Sequence, residues 1–410
     1  MTATTSLSPS LARQIIQSLG GSGTPPEYGL EHFSVGLAPY LDVIDDEYLN
    51  GYIKDGGANF KMVIGIYGGG KTHFLYCLRD RAWQHGYAVS YVSLKSSGES
   101  PFYALELVYK AIVANIGATP HGDAQPNHER GIRAFLKNWY GERIAHYQRK
   151  GMSVDRSRQS VAEDIQQVES PNLSFRNAIR HALDAYHNDR QETFDTICQW
   201  LQGEGFDSKT LRTYGITQKI DRTTAFQMIR SLGQIIRALE YQGLVVLLDE
   251  AERIPSLSTR NREQHLSNLR EIIDECGQSS FEGMLLVYAV PDENFLQGRT
   301  QIYEALTQRL NTVFSTLNPT GVKIMLERTV NDHISFLQTV GERLAEIYCV
   351  AYTTSLDSFL VKETVAMVAE WAEEQRFSDE GYKRLFVQNM IKALHYLRLQ
   401  GKQPSIADLA

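Results

Sequence analysis

Apolar and polar positions change period several times along the chain, and the changes mark its elements. Lys61-Met-Val-Ile-Gly-Ile66 is a short apolar run, the pattern of a strand buried on both faces. The stretch from His73 to Trp83 then spaces its apolar residues at the helical period, without Gly or Pro. Further strands are expected at Tyr87–Leu94, Gly243–Leu248, Gly283–Val290 and Gly321–Leu326. Helices are expected over Leu11–Leu19, after a Ser8-Pro-Ser10 cap, over Pro101–Ile116, and over Asn261–Cys276. From Asn331 onward Ile334, Leu337, Val340, Leu344 and Ile347 recur at helical spacing, which predicts a C-terminal helical bundle. Between about 117 and 238 there is little strand period, only helical stretches broken at Gly117–Pro120, Glu169–Pro171 and Gly203–Gly205.

Strands alternating with helices predict an α/β fold, a parallel sheet with helices on both faces. Three units are expected. Residues 1–58 form a helical and loop segment packing on the core. Residues 59–325 form the α/β core, with a large helical insertion at about 117–238. Residues 326–410 form a helical lid.

The first strand leads into Gly65-Ile-Tyr67-Gly68-Gly69-Gly70-Lys71-Thr72, a full match to G-x-x-x-x-G-K-[ST], followed by His73. Strand, glycine turn and helix together make this octet a phosphate site rather than a chance string. Glycines at 65, 68, 69 and 70 let the backbone curl so that successive N–H groups point inward around an anion. The helix beginning near Lys71 adds its positive end. Lys71 is placed to reach β- and γ-phosphate oxygens, and Thr72 to offer its hydroxyl to Mg²⁺. A second motif, Gly243-Leu-Val-Val-Leu-Leu-Asp249-Glu250, is an apolar strand ending in two carboxylates. Asp249 suits the metal shell, and Glu250 suits a general base that deprotonates water. Together the two motifs predict a Mg²⁺-dependent nucleotide hydrolase of the P-loop class.

Composition narrows the setting. A net charge of −7 over 410 residues argues against a protein coated in nucleic-acid-binding charge. Four scattered cysteines without C-x-x-C spacing suit a reducing cytoplasm, and neither a membrane span nor a signal-peptide pattern is expected. Residues 129–158 carry the main local excess of cations, eight Lys/Arg against three Asp/Glu, with Trp139, Tyr140 and Tyr147 interleaved. A solvated helix face is the favoured reading because the spacing is irregular, and contact with DNA stays open.

The chain also resembles the BREX-type ATP-binding proteins, P-loop ATPases of bacterial phage-defence clusters akin to the origin-recognition branch of AAA+ proteins. The residues that carry this likeness are Ala12–Leu19, Thr24–Gly36, Gly65–Leu75, Trp200–Glu204, Gly243–Glu252 and Leu306–Leu310. Past residue 325 only a helical lid is similar, without a winged-helix pattern. The resemblance implies ATP with Mg²⁺, other subunits of a defence complex as partners, and a homo-oligomer. In AAA+ rings an arginine after the strand neighbouring Asp249 reaches the γ-phosphate of the adjoining subunit. Arg309 is the candidate, and a surface arginine on a helix is the alternative. Gly381-Tyr-Lys-Arg384 resembles the lid pattern that sets a second arginine, Arg384, near the nucleotide. The expected function is an ATPase that couples hydrolysis to assembly or remodelling of DNA or partner proteins. An ATP-gated scaffold with little turnover and a loader-like DNA remodeller are the alternatives.

Overall fold

The computed structural model describes residues 7–94, 101–119, 129–249, 257–278, 280–298, 300–330, 332–376 and 381–409. Six strands form one sheet: β1 Ala58–Ile64, β2 Ala88–Ser93, β3 Ile116–Gly117, β4 Leu244–Asp249, β5 Met284–Val290 and β6 Lys323–Met325. Their order is β3-β2-β4-β5-β1-β6. Every pairing is parallel except β2 with β3. The expected parallel sheet is therefore corrected to a mixed one. The reason is local: the chain leaves the helix after β2 with Ile116 in extended backbone, and this pairs back on Ser90 at the sheet edge.

The helices are α1 Pro9–Ser22, α2 Ala38–Ile44, α3 Lys71–Gln84, α4 Leu105–Asn115, α5 Ile132–Arg149, α6 Val154–Gln167, α7 Leu173–His187, α8 Gln191–Leu201, α9 Ser208–Thr213, α10 Ala225–Ala238, α11 Thr259–Gly277, α12 Gln301–Arg309, α13 His333–Tyr352, α14 Ser358–Glu374, α15 Tyr382–Gln400 and α16 Ile406–Leu409. The expected helical insertion is α5 to α10, which together carry no strand among the described residues.

Strand residues point alternately to two faces, and each face builds a separate core. Phe60, Met62, Val246, Leu248, Leu286 and Tyr288 pack with α4, α11 and the insertion helices. Val63, Val245, Leu247, Leu285 and Val287 pack with α3, the N-terminal segment and the C-terminal bundle. The N-terminal segment is itself divided. Its first helix, α1, lies against α13 and α15 of the bundle, while Leu30–Tyr52 lies over α3. A π-helical stretch at Asp45–Tyr52, which the mixed aromatic and acidic sequence there did not suggest, presents Tyr48 to the sheet.

Tyr48 meets the one charged side chain of β1, Lys61, which is only 1% exposed. Its ammonium donates to Tyr48 Oη at 2.7 Å and to the carbonyls of Pro319 and Gly321 at 3.0 and 2.6 Å. Three donors thus meet three acceptors, which is what a buried ammonium requires.

Candidate functional site

All five parallel-paired strands end on one edge of the sheet, where β1 runs into the glycine loop and β4 into Asp249. Ligand sites in open α/β sheets lie outside this carboxyl edge. Gly68 and Gly70 take positive φ, 68° and 100°, and the Gly69 N–H closes the turn on the Ile66 carbonyl at 2.9 Å. Gly70 then caps α3 without a side-chain bond, so the amides at the start of α3 face the loop. Lys71 folds back into the loop and donates to the Gly65 and Ile66 carbonyls at 2.8 and 3.2 Å.

Asp249 is buried at the end of β4. Its Oδ2 accepts from Thr72 Oγ1 at 2.7 Å and from Tyr91 Oη, on the neighbouring β2, also at 2.7 Å. Thr72 and Asp249, 177 residues apart in sequence, are thereby brought together as expected. Two ligands on adjacent corners of a Mg²⁺ octahedron, each about 2.1 Å from the ion, lie about 3 Å apart. The Thr72–Asp249 oxygen pair therefore fits Mg²⁺. No cluster of three His, Cys, Asp or Glu side chains occurs among the described residues. Phosphate oxygens and water would complete the shell, which is how Mg²⁺ is usually held. The expected base, Glu250, lies outside the described residues.

A cavity of about 250 Å³ opens on the loop. Its floor is Tyr67–His73 and Asp249, one wall is Leu19 and Gly23–Leu37 of the N-terminal segment, and the other is α13 and α15 with Leu326–Val330. Its lining includes the apolar side chains of Leu19, Pro25, Phe33, Val35, Phe336 and Val340. His73 ties floor to wall: its Nε2 lies 2.8 Å from Ser34 Oγ, and its ring lies tilted at 49° to Phe33, centroids 5.2 Å apart. Burial, with Lys383 adding, pushes this imidazole down to about 4, so it is neutral at pH 7.

Arg384 lies against the glycine loop. Its guanidinium covers the Tyr67 ring at 4.6 Å, and its Nε is buried without a hydrogen-bond partner. The backbone explains the closeness: Gly381, at φ 73°, approaches the Tyr67 carbonyl so nearly that any Cβ there would overlap it. Arg309 lies elsewhere. Its fork is held by Asp274 on α11, Nη2 to Oδ2 at 3.1 Å, and Nη1 donates to the Ala305 carbonyl at 2.9 Å. The strand before it, β5, does run beside β4.

Three residues of the site gave no sequence signal. Tyr91 on β2 holds Asp249, Glu327 accepts the Ile66 amide at 3.0 Å, and Lys383 donates to the Gly69 carbonyl at 3.2 Å. Three arginines of the cationic segment 129–158 pair with acids elsewhere in the chain. Arg143 binds Asp164 and Glu240, Arg133 binds Asp195, Arg130 binds Glu27, and Trp139 and Tyr140 are buried. Arg149, Lys150 and Arg156 remain at the surface around the α5–α6 turn.

A glycine loop joined to a strand-end aspartate suits a nucleotide, and the chain matches the model of a nucleotide-binding family. Residues 7–406 match the BREX system ATP-binding protein BrxC/D model. The chain belongs to this family. The match spans the chain from before α1 to the start of α16. Membership makes the protein an ATP-binding component of a phage-defence system, with other components of that system as its setting. No curated protein and no solved structure is similar enough to match. No described helix is long and apolar enough to cross a membrane.

Proposed function

We propose that the protein is a Mg²⁺-dependent ATPase that drives assembly or remodelling within a BREX defence complex in the cytoplasm. The observation that carries this is the 2.7 Å contact of Thr72 with Asp249 at the mouth of the glycine loop. Thr72 follows Lys71 in the chain, and its oxygen and that of Asp249 would together hold the ion. Mg²⁺, once bound, would neutralise charge developing on the transferring phosphoryl group.

The chain's own groups divide the remaining work. Amides of Gly68 to Thr72 would bind the phosphates, and Lys71 would leave the Gly65 and Ile66 carbonyls for phosphate oxygen. The apolar side chains lining the cavity would take the base. Glu250, next along the chain from Asp249, would accept the proton of the attacking water. Arg384, already over Tyr67, would face the terminal phosphate from the lid.

Arg309 would act across an interface between copies, where its pair with Asp274 would have to open. That pair also favours the second reading, an ATP-gated switch with little turnover until assembly frees the arginine. Remodelling of DNA through 129–158 would rest on the exposed Arg149, Lys150, Arg156 and Arg158. Steady-state hydrolysis with and without Mg²⁺ tests the proposal. Wild type should turn over only with the metal, and Glu250→Gln should bind ATP while losing roughly 10²–10⁴-fold in rate. Wild-type turnover in Glu250→Gln would remove the assigned base.

A further inference from the structure

The lid reaches the glycine loop with more than Arg384. Lys383 extends from the first turn of α15 between the rings of Phe336 and Tyr382, 5.3 and 5.8 Å from their centres. Its ammonium ends on the Gly69 carbonyl at 3.2 Å. That carbonyl belongs to the loop whose amides turn inward for phosphate, so the ammonium stands at the rim of the cradle. The nearest acid, Glu327, is itself engaged by the Ile66 amide on the same loop.

We propose that Lys383 is a second lid cation for the nucleotide's polyphosphate, held on the Gly69 carbonyl until the anion's oxygens replace it. The proposal rests on the loop being the ATP site. A carbonyl is a weak partner for an ammonium compared with a phosphate oxygen, so the exchange is downhill once the anion enters. It also gives the lid a reason to respond to phosphate. Lys383 and Arg384 sit side by side at one end of α15, so drawing both toward the loop moves that helix end as a unit. The buried Nε of Arg384, without a hydrogen-bond partner, indicates that this corner has donor capacity left over.

Burial pushes Lys383 down to about 8, opposed by Glu327 and reinforced by Arg376. The charged and titratable groups around it are Glu327 beyond β6, Arg376 beyond α14, His73 on α3, His333 on α13 and Arg384 on its own helix. His73, at about 4, is silent between pH 7 and 9.

The test is calorimetric titration of the full chain with ATP and with adenosine. Lys383→Met should weaken ATP roughly tenfold to a hundredfold, the worth of one charge-assisted bond, and leave adenosine unchanged. Lys383→Arg should recover most of the loss. Wild-type affinity for ATP should fall as pH rises from 7 to 9, and Lys383→Met should lose that slope. Unaltered ATP binding, an equal loss for adenosine, or a retained slope in Lys383→Met would each overturn the assignment while leaving the loop as the ATP site. Lys71→Ala serves as the control: unweakened ATP binding there would remove the loop site itself, and Lys383 with it.

Discussion

At the residue scale the molecule spends charge inside the fold in two different ways. Asp249 is buried, yet its Oδ2 has two hydroxyl donors, Thr72 and Tyr91. To hold Mg²⁺, Thr72 would turn away from this oxygen, whereas Tyr91 approaches from β2 and would stay, fixing the carboxylate's angle. Tyr91→Phe should therefore weaken Mg²⁺-dependent nucleotide binding about tenfold, as loss of an outer-shell partner does, with little change in metal-free binding. Titration of nucleotide at several Mg²⁺ concentrations reads this directly. An effect equal at all of them would make Tyr91 a packing residue only. Lys61 is the second case, since burial pushes it down to about 7. In the unfolded chain a lysine titrates near 10.4. Between the two values the unfolded state holds more protons, so stability gained at this site rises with pH above about 7 and is flat below it. The melting difference between wild type and Lys61→Met should move in favour of wild type from pH 7 to 9.5. A constant difference would mean that the three acceptors keep the proton on.

Among the elements, those with a local signature were legible and those defined by their neighbours were not. The strand–loop–helix of β1 and α3 could be read because each residue's task lies within eight positions of the others. Asp249 could be read because an apolar strand ending in acids has few other uses beside a glycine loop. Tyr91 and Lys383 sit 158 and 314 residues from their partners, and no period or spacing links such positions. The same holds for α1. Its apolar face was evident, but only the fold shows that α13 and α15 cover it. Segment 129–158 reads in sequence as a solvated face, and only the fold supplies the partners of its cations, the acids of α6 and α8 and Glu240 after α10. The contact of α15 with the loop depends on one backbone position. Gly381→Ala would need a side chain at positive φ where the Tyr67 carbonyl already stands. The variant should lose about 1–3 kcal/mol of stability, and its lid should dock less closely. Amide exchange should report faster opening over Tyr382–Phe386 while the insertion helices stay protected. Unchanged protection of the α15 start would show that the lid does not depend on that approach.

For the whole molecule, the open question is how a site closed by its own N-terminal segment and lid is connected to other subunits. The geometry offers one group that changes role on assembly. Arg309 ends α12, following the strand that separates β1 from β4, and it is about one-third exposed beside Asp274. If it serves a neighbouring copy's phosphate, it must leave Asp274, and the planar fork that fits a carboxylate fits a phosphoryl group equally well. Two readings then separate cleanly. As an internal tie, Arg309→Ala and Asp274→Ala should lower the melting temperature alike and leave turnover per folded molecule unchanged. As a group acting between copies, Arg309→Ala should bind ATP normally but lose roughly 10³–10⁵-fold in turnover, the usual worth of such an arginine. Asp274→Ala should keep its turnover or raise it. Mixing decides further. Lys71→Ala copies retain Arg309, and Arg309→Ala copies retain the phosphate loop, so a mixture should recover activity that neither variant shows alone. The recovery should rise with protein concentration, as an assembly-dependent site must. A mixture as inactive as its parts would confine Arg309 to its own chain.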